Sequence, residues 1–178
     1  RVCVTTAEPV AACMASQYAG WQISIGDFFA MGSGPMRAAY GGEELFKDIG
    51  HVEEAARIVG ALETRQQPSA GVFDFIASKT NTEPQNITLA VAPTASTAGG
   101  IQVVARSVET ALHKLHELGF DLARVRAGSG SAPIPPTAAD DLWQPSPGIP
   151  ARGHELDQVA AVLGAPRHQQ VGDAVGEL

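Results

Sequence analysis

The sequence predicts an α/β layered fold, and three observations carry that prediction. Short β-branched or apolar runs alternate along the chain with segments of helical periodicity. Small-residue loops separate them, with 19 Gly and 12 Pro among 178 residues. Charged residues make up 17% while 44% are hydrophobic, which excludes a disordered chain of low hydrophobicity and high charge. No heptad persists, so a coiled coil is excluded too. The length allows one domain, or two very small ones, and is enough for a real core.

Taken in order, Arg1-Val2-Cys3-Val4-Thr5-Thr6 reads as a strand that Glu8-Pro9 ends. It opens without an initiator Met or a leader, so the chain is expected to be the interior of a longer protein. Pro9 suits the first turn of a helix through Val10, Cys13, Met14 and Tyr18, stopped by Gly20. Residues 21–25 alternate as a strand. Residues 26–35, GDFFAMGSGP, read as a loop that turns at Gly32-Ser33-Gly34, followed by a helix over 36–46. Residues 51–63 fit either a helix or a buried strand. A helix over 69–79, a turn at 83–86 and a strand over 87–92 come next.

The small-residue loop at 93–100 leads into the clearest helix, predicted as one element from Ile101 to Leu118. Its apolar stripe is Ile101, Val104, Val108, Ala111, Leu112, Leu115 and Leu118, and Gly119 stops it. Residues 120–125 lead into a strand, and 128–136 read as a Gly/Pro loop. Beyond Leu142 the texture changes: four of the twelve prolines (Pro145, Pro147, Pro150, Pro166) fall in the last 36 residues, where only 154–163 has a helical pattern. The chain thus divides into a central region, 1–142, and an atypical tail, 143–178. No repeat of 20–50 residues recurs.

With 12 Lys and Arg against 19 Asp and Glu the net charge is −7. That repels a phosphate backbone, arguing against nucleic acid as a partner, and suits a cationic small ligand. No run of about 18 apolar residues is present, so no membrane span and a cytoplasmic location are predicted. Cys3 and Cys13, in apolar company, are expected to be buried thiols rather than a disulfide.

On the 101–118 helix, an advance of about 100° per residue places Gln102, Arg106, Glu109, His113 and His116 opposite the apolar stripe. Arg106 and Glu109, three apart, fit an ordinary surface ion pair. The helix, however, leaves a Ser/Thr/Gly loop after an apolar strand, where α/β folds place ligands. There a carboxylate beside a guanidinium can orient or deprotonate water. His113 and His116 lack a third ligand in any metalloprotease spacing, so no metal site is predicted and solvated or hydrogen-bonded histidines on a helix face are preferred. None of the loops MGSGP, PTASTAGG and GSGSAPIPP carries a phosphate-binding Lys-Ser/Thr pair, and together they suit a polar cleft for a small ligand. Gly32-Ser33-Gly34 is not the G-x-S-x-G elbow, so no serine nucleophile is predicted.

At these segments the chain resembles the methenyltetrahydromethanopterin cyclohydrolases. ASQYAGW (15–21), GDFFAMGSGP (26–35), VAPTAS (91–96), ARSVET (105–110) and APIPP (132–136) match the family's motifs in the family's order. The resemblance implies a hydrolase of one-carbon metabolism and formaldehyde oxidation. It would open the cationic methenyl bridge of a tetrahydromethanopterin substrate to the formyl form, with no metal or redox cofactor. It implies Glu109 as the group that activates or positions water, with Arg106 holding and tuning it. Tyr18, Ser33, Gly34, Thr94 and Ser96 would line the pterin cleft. Tyr18 stands where archaeal relatives carry Lys, implying a bacterial, methylotroph-type member. A homo-oligomer, a trimer, is implied as well. After DDL at 140–142 the family's TNDA-like motif and further lobe are replaced by WQPSPGIPARGHELDQ, as a frameshift, a chimeric end or a truncation would produce. The piece is therefore expected to keep the catalytic helix and to lack part of the cleft walls and trimer contacts. A pterin-binding module without turnover, or an inactive fragment, is the alternative.

Overall fold

Two sheets with separate helical covers build the α/β fold. The structure, a computed structural model, describes residues 1–136 and the backbone of one later strand, 158–163. Residues 137–157 and 164–178, holding the rest of the expected tail and the DDL segment, lie outside the described residues. The four-stranded sheet contains β2 (Trp21–Ile25), β3 (Phe28–Ser33), β4 (Ile58–Glu63) and β5 (Ile87–Ala92) in that order. β3 is antiparallel to both its neighbours, and β4 and β5 are parallel. The antiparallel three-stranded sheet has the order β1 (Val2–Thr6), β6 (Val125–Ala132), β7 (Gln158–Leu163).

Alternation decides which face of the larger sheet is covered. Trp21, Ile23, Phe28, Ala30, Ile58, Leu62 and Ile87 point to one side, against Met36 of α1 (Pro35–Tyr40) and Val72, Ile76 and Ala77 of α3 (Ala70–Thr80). Each fully buried Ile or Leu there contributes about 1.5–3 kcal/mol. The intervening residues, among them Ser33, Ala61 and Glu63, face the other way. A second core gathers Cys13 and Met14 of a π-helix (Val10–Gln17), Val108 and Leu112 of α5 (Ser107–Glu117), Leu122 and Val125. α2 (Leu45–Ile49) packs beside the π-helix through Phe46. No helix among the described residues is long and apolar enough to cross a membrane.

Several elements differ from the sequence expectation. Residues 26–35 are not a loop: Ile25 pairs with Phe28 across a two-residue Gly26-Asp27 turn, and β3 runs to Ser33. Phe28, Ala30 and Gly32 face the core, an alternation that the small residues obscure. The helix expected over 36–46 is two, because the chain leaves α1 at Gly41 in the left-handed conformation, φ 55°. The ambiguous 51–63 stretch is the strand β4. Residues 128–132 are strand rather than loop, and the glycines have a packing cause: a Cβ on Gly128 or Gly130 would collide with Val108 or Ser107 of α5. Residues 158–163, expected within a helix, are the strand β7, paired along β6. Cys3 is exposed, whereas Cys13 is buried as expected.

The expected single helix over 101–118 is also two. α4 (Thr97–Ala105) begins four residues earlier than predicted, and Arg106 separates it from α5 with φ −79° and ψ 12°. A stripe of apolar side chains survives such a one-residue change, so periodicity does not register it. The expected faces shift accordingly: Ile101 and Leu118 are exposed, and Glu109 is buried.

Candidate active site

Between the two cores lies a cavity of about 500 Å³, within the range of small-molecule sites. Thr5 and Thr6 of β1, Ser16 and Gln17 of the π-helix, Ser33 and Gly34 at the end of β3, and Gln102 of α4 supply its polar lining. Gly34 caps α1 at φ 93°, and its N–H donates to Ser16 O at 2.7 Å. A Cβ there would sit 3.2 Å from Val59 O, so both the conformation and the space select glycine.

The side of β4 turned away from the core carries the hub of the site. Glu63 Oε1 accepts from Arg106 Nη2 and from Gln102 Nε2, the latter at 3.2 Å; the same Gln102 nitrogen lies 3.2 Å from Ser33 Oγ. β3, β4 and α4 are thereby joined by one polar network. Arg106 and Glu63 are 16% and 13% exposed, and Arg106 Nε has no hydrogen-bond partner among the described residues. Gln17 reaches the same junction, donating through Nε2 to Ala105 O at 3.0 Å.

Glu109 is buried in the first turn of α5. Burial raises its carboxyl above the ordinary value of 4.5, opposed by the positive charges of Arg106 and Arg37. The balance leaves a carboxylate more basic than a free one, as a general base near neutrality requires. Cys13, on the cavity wall, is pushed up to about 11 by burial first and by Glu109's charge second. It is a neutral thiol at neutral pH.

Arg37 is fully buried. Nε and Nη2 donate to the two carboxylate oxygens of Glu43, each at 2.7 Å, and Nη1 donates to Met14 O and Ala15 O at 2.6 and 2.7 Å. It thus caps carbonyls at the C-terminal end of the π-helix, whose last turn closes from Tyr18 N–H to Cys13 O, five residues back. The guanidinium also lies 4.8 Å from the ring centres of Tyr18 and Phe46.

Of the predicted residues Ser33 and Gly34 line the cavity, whereas Arg106 and Glu109 lie behind the lining, Arg106 ion-paired to Glu63 rather than to Glu109 and Glu109 acting on the cavity-wall Cys13. Tyr18 is outside the cavity lining, stacked on His113 at 5.1 Å between ring centres. Thr94 is exposed in the loop before α4. The Ser96 hydroxyl caps α4, accepting from Gly99 N–H at 3.0 Å and donating to Pro93 O at 2.6 Å. His116 meets Asp48 at 3.1 Å and His113 meets Glu117 at 3.6 Å, the helix-face arrangement expected of them. Glu63, Arg37 and Gln17 were not predicted. Glu63 had one usable signal, its place at the C-terminal end of a strand parallel to its neighbour, where α/β sheets gather ligand-binding groups.

A mixed α/β chain that holds a buried carboxyl of raised basicity behind the cavity-lining Cys13 has the makings of an acid–base site. The family model described as Cyclohydrolase (MCH) matches residues 1–144, and the chain belongs to that family. It is 46% identical over 139 residues to the methenyltetrahydromethanopterin cyclohydrolase of Methanococcoides burtonii, covering 78% of this chain and 43% of the relative. Over 139 residues it is 48% identical to the cyclohydrolase of the same name from Xanthobacter autotrophicus, covering 78% and 41% of the two chains. For that of Methylobacillus flagellatus the figures are 47% over 134 residues, 75% and 41%. The chain therefore spans less than half the length of these relatives.

Proposed function

We propose that this chain carries the hydrolytic residues of a methenyltetrahydromethanopterin cyclohydrolase. The observation that supports it most is Glu109, buried in the first turn of α5 and acted on by two arginines, with its basicity raised by burial. The methenyl carbon of the substrate lies between two nitrogens and shares their positive charge, so it is already electrophilic. What the reaction lacks in water is a positioned base. Glu109 takes a proton from water as the water oxygen bonds to that carbon. The adduct then breaks one carbon–nitrogen bond, and the departing nitrogen receives a proton. The net result is water added, a formyl product formed and one proton released.

This route involves no redox change, because the electron pairs stay with carbon, oxygen and nitrogen throughout, and the substrate's own positive charge supplies the activation that a metal ion gives other hydrolases. The net charge of −7 favours approach of the cationic substrate, and Ser33, Gln17 and Gln102 supply hydrogen-bonding groups for a pterin beside the side-chain-free Gly34. In the test, purified protein removes the near-ultraviolet absorbance of methenyltetrahydromethanopterin faster than buffer. Glu109→Gln lowers turnover by about 10²–10⁴-fold, the contribution of a positioned base. Equal rates for the two proteins would remove Glu109 from the mechanism.

A further inference from the structure

We infer that Glu63 is a positioning residue for the hydrolysis: it holds the Arg106 guanidinium on the β4 side of the site and so keeps it from closing onto Glu109. The inference rests on the role proposed for Glu109 and adds a residue that the motif pairing of Arg106 with Glu109 leaves out.

Arg106 sits between two helices, with backbone angles outside both, and Glu109 lies three positions further on, a spacing at which side chains on a helix meet. An arginine so placed has two carboxylates to choose from. It pairs with Glu63, forty-three positions back in the chain. The choice is reinforced from the far side, because Gln102 donates to the same Glu63 oxygen and to Ser33 Oγ, fixing the carboxylate against β3 and α4. Arg106 has little else to hold it: its Nε has no partner among the described residues.

The groups that bear on Glu109 are Arg106 from the α4–α5 junction, Arg37 from α1 and the neutral Cys13 thiol from the π-helix. Arg37 is committed to Glu43 and to two carbonyls. Arg106 is therefore the movable charge, and its distance from Glu109 tunes, against the larger effect of burial, how basic that carboxylate is. A direct Arg106–Glu109 ion pair would favour the carboxylate form and weaken the base.

The test uses the whole 178-residue chain carrying Glu63→Gln, which keeps size and an acceptor oxygen but removes the charge. Carbon-13 NMR follows the Glu109 side-chain carboxyl against pH, assigned by its loss in Glu109→Gln. We expect the Glu63→Gln midpoint to fall by about one pH unit, the lower end of the effect of a new opposite charge within ion-pair distance. An unchanged midpoint in a folded variant overturns the inference. A second measurement needs no substitution at Glu63: nitrogen-15 spectra of the Arg106 guanidinium should show the same slow proton exchange in wild type and Glu109→Gln. If the protection vanishes with Glu109, then Glu109 and not Glu63 holds the arginine, and the inference fails. Turnover separates this from the proposed function. If wild type hydrolyses the substrate, Glu63→Gln should lower kcat about tenfold with KM unchanged. If wild type does not, the cyclohydrolase reading fails, while the two NMR measurements still decide where Arg106 is held.

Discussion

Two arginine–glutamate pairs lie within this small fold, and they are built to opposite specifications. Arg37 and Glu43 are joined by two parallel hydrogen bonds, the guanidinium is fully buried, and its remaining Nη1 donates to two carbonyls. Arg106 and Glu63 are both slightly exposed beside a cavity, share one oxygen with Gln102, and leave Arg106 Nε without a partner among the described residues. A saturated pair fixes backbone, here the end of the π-helix that walls the cavity. An unsaturated pair leaves donor capacity and a choice of partner, which the proposed hydrolysis of a cationic substrate can use.

The largest expected effect separates the two on stability. Arg37→Met strands Glu43 and two carbonyls and should cost about 3 kcal/mol of unfolding free energy, read by urea denaturation. Arg106→Met, which removes one charge-assisted hydrogen bond and leaves Glu63 its Gln102 donor, should cost about 1.5 kcal/mol. Equal losses would erase the distinction drawn between the pairs.

A smaller effect concerns the carboxyl that both arginines act on. Glu109 has its proton affinity raised by folding, so the folded state binds more protons than the unfolded one above the ordinary value of 4.5. Stability associated with this group is present below that pH and is lost as pH rises through the higher folded value. Glu109→Gln should therefore melt above wild type at neutral pH, with the gap closing as pH falls below 4.5. A gap independent of pH would mean that packing, not charge, sets the difference. The smallest effect belongs to the half-exposed His116–Asp48 contact at 3.1 Å. His116→Ala should change stability by no more than about 0.5 kcal/mol, setting the baseline against which both pairs are judged.

How much of this was legible in the sequence follows from the range of each interaction. The strands at 21–25 and 87–92 and the helix near 70–80 show in local pattern, and Arg106, Glu109, Ser33 and Gly34 stand in segments whose residue types suggest chemistry. Glu63 and Arg37 do not, because their meaning comes from partners 43 and 22–23 positions away. A glutamate that ends a strand looks the same whether it meets solvent or an arginine. β6 was hidden for a related reason: its glycines carry no strand signal and are explained by α5 lying on them. The change at Arg106 was invisible because one residue's backbone angles leave the apolar repeat intact.

Gly34 has a consequence for how this molecule can vary. Its N–H, donated to Ser16 O, is a stitch between the sheet on one side of the cavity and the π-helix on the other, and its φ of 93° with Val59 O close by denies it any side chain. One lining residue thus also ties together the two walls that flank the site. Natural or engineered changes in ligand preference have no freedom at this position and have to come from the walls, at residues such as Thr5, Ser16 and Ala61.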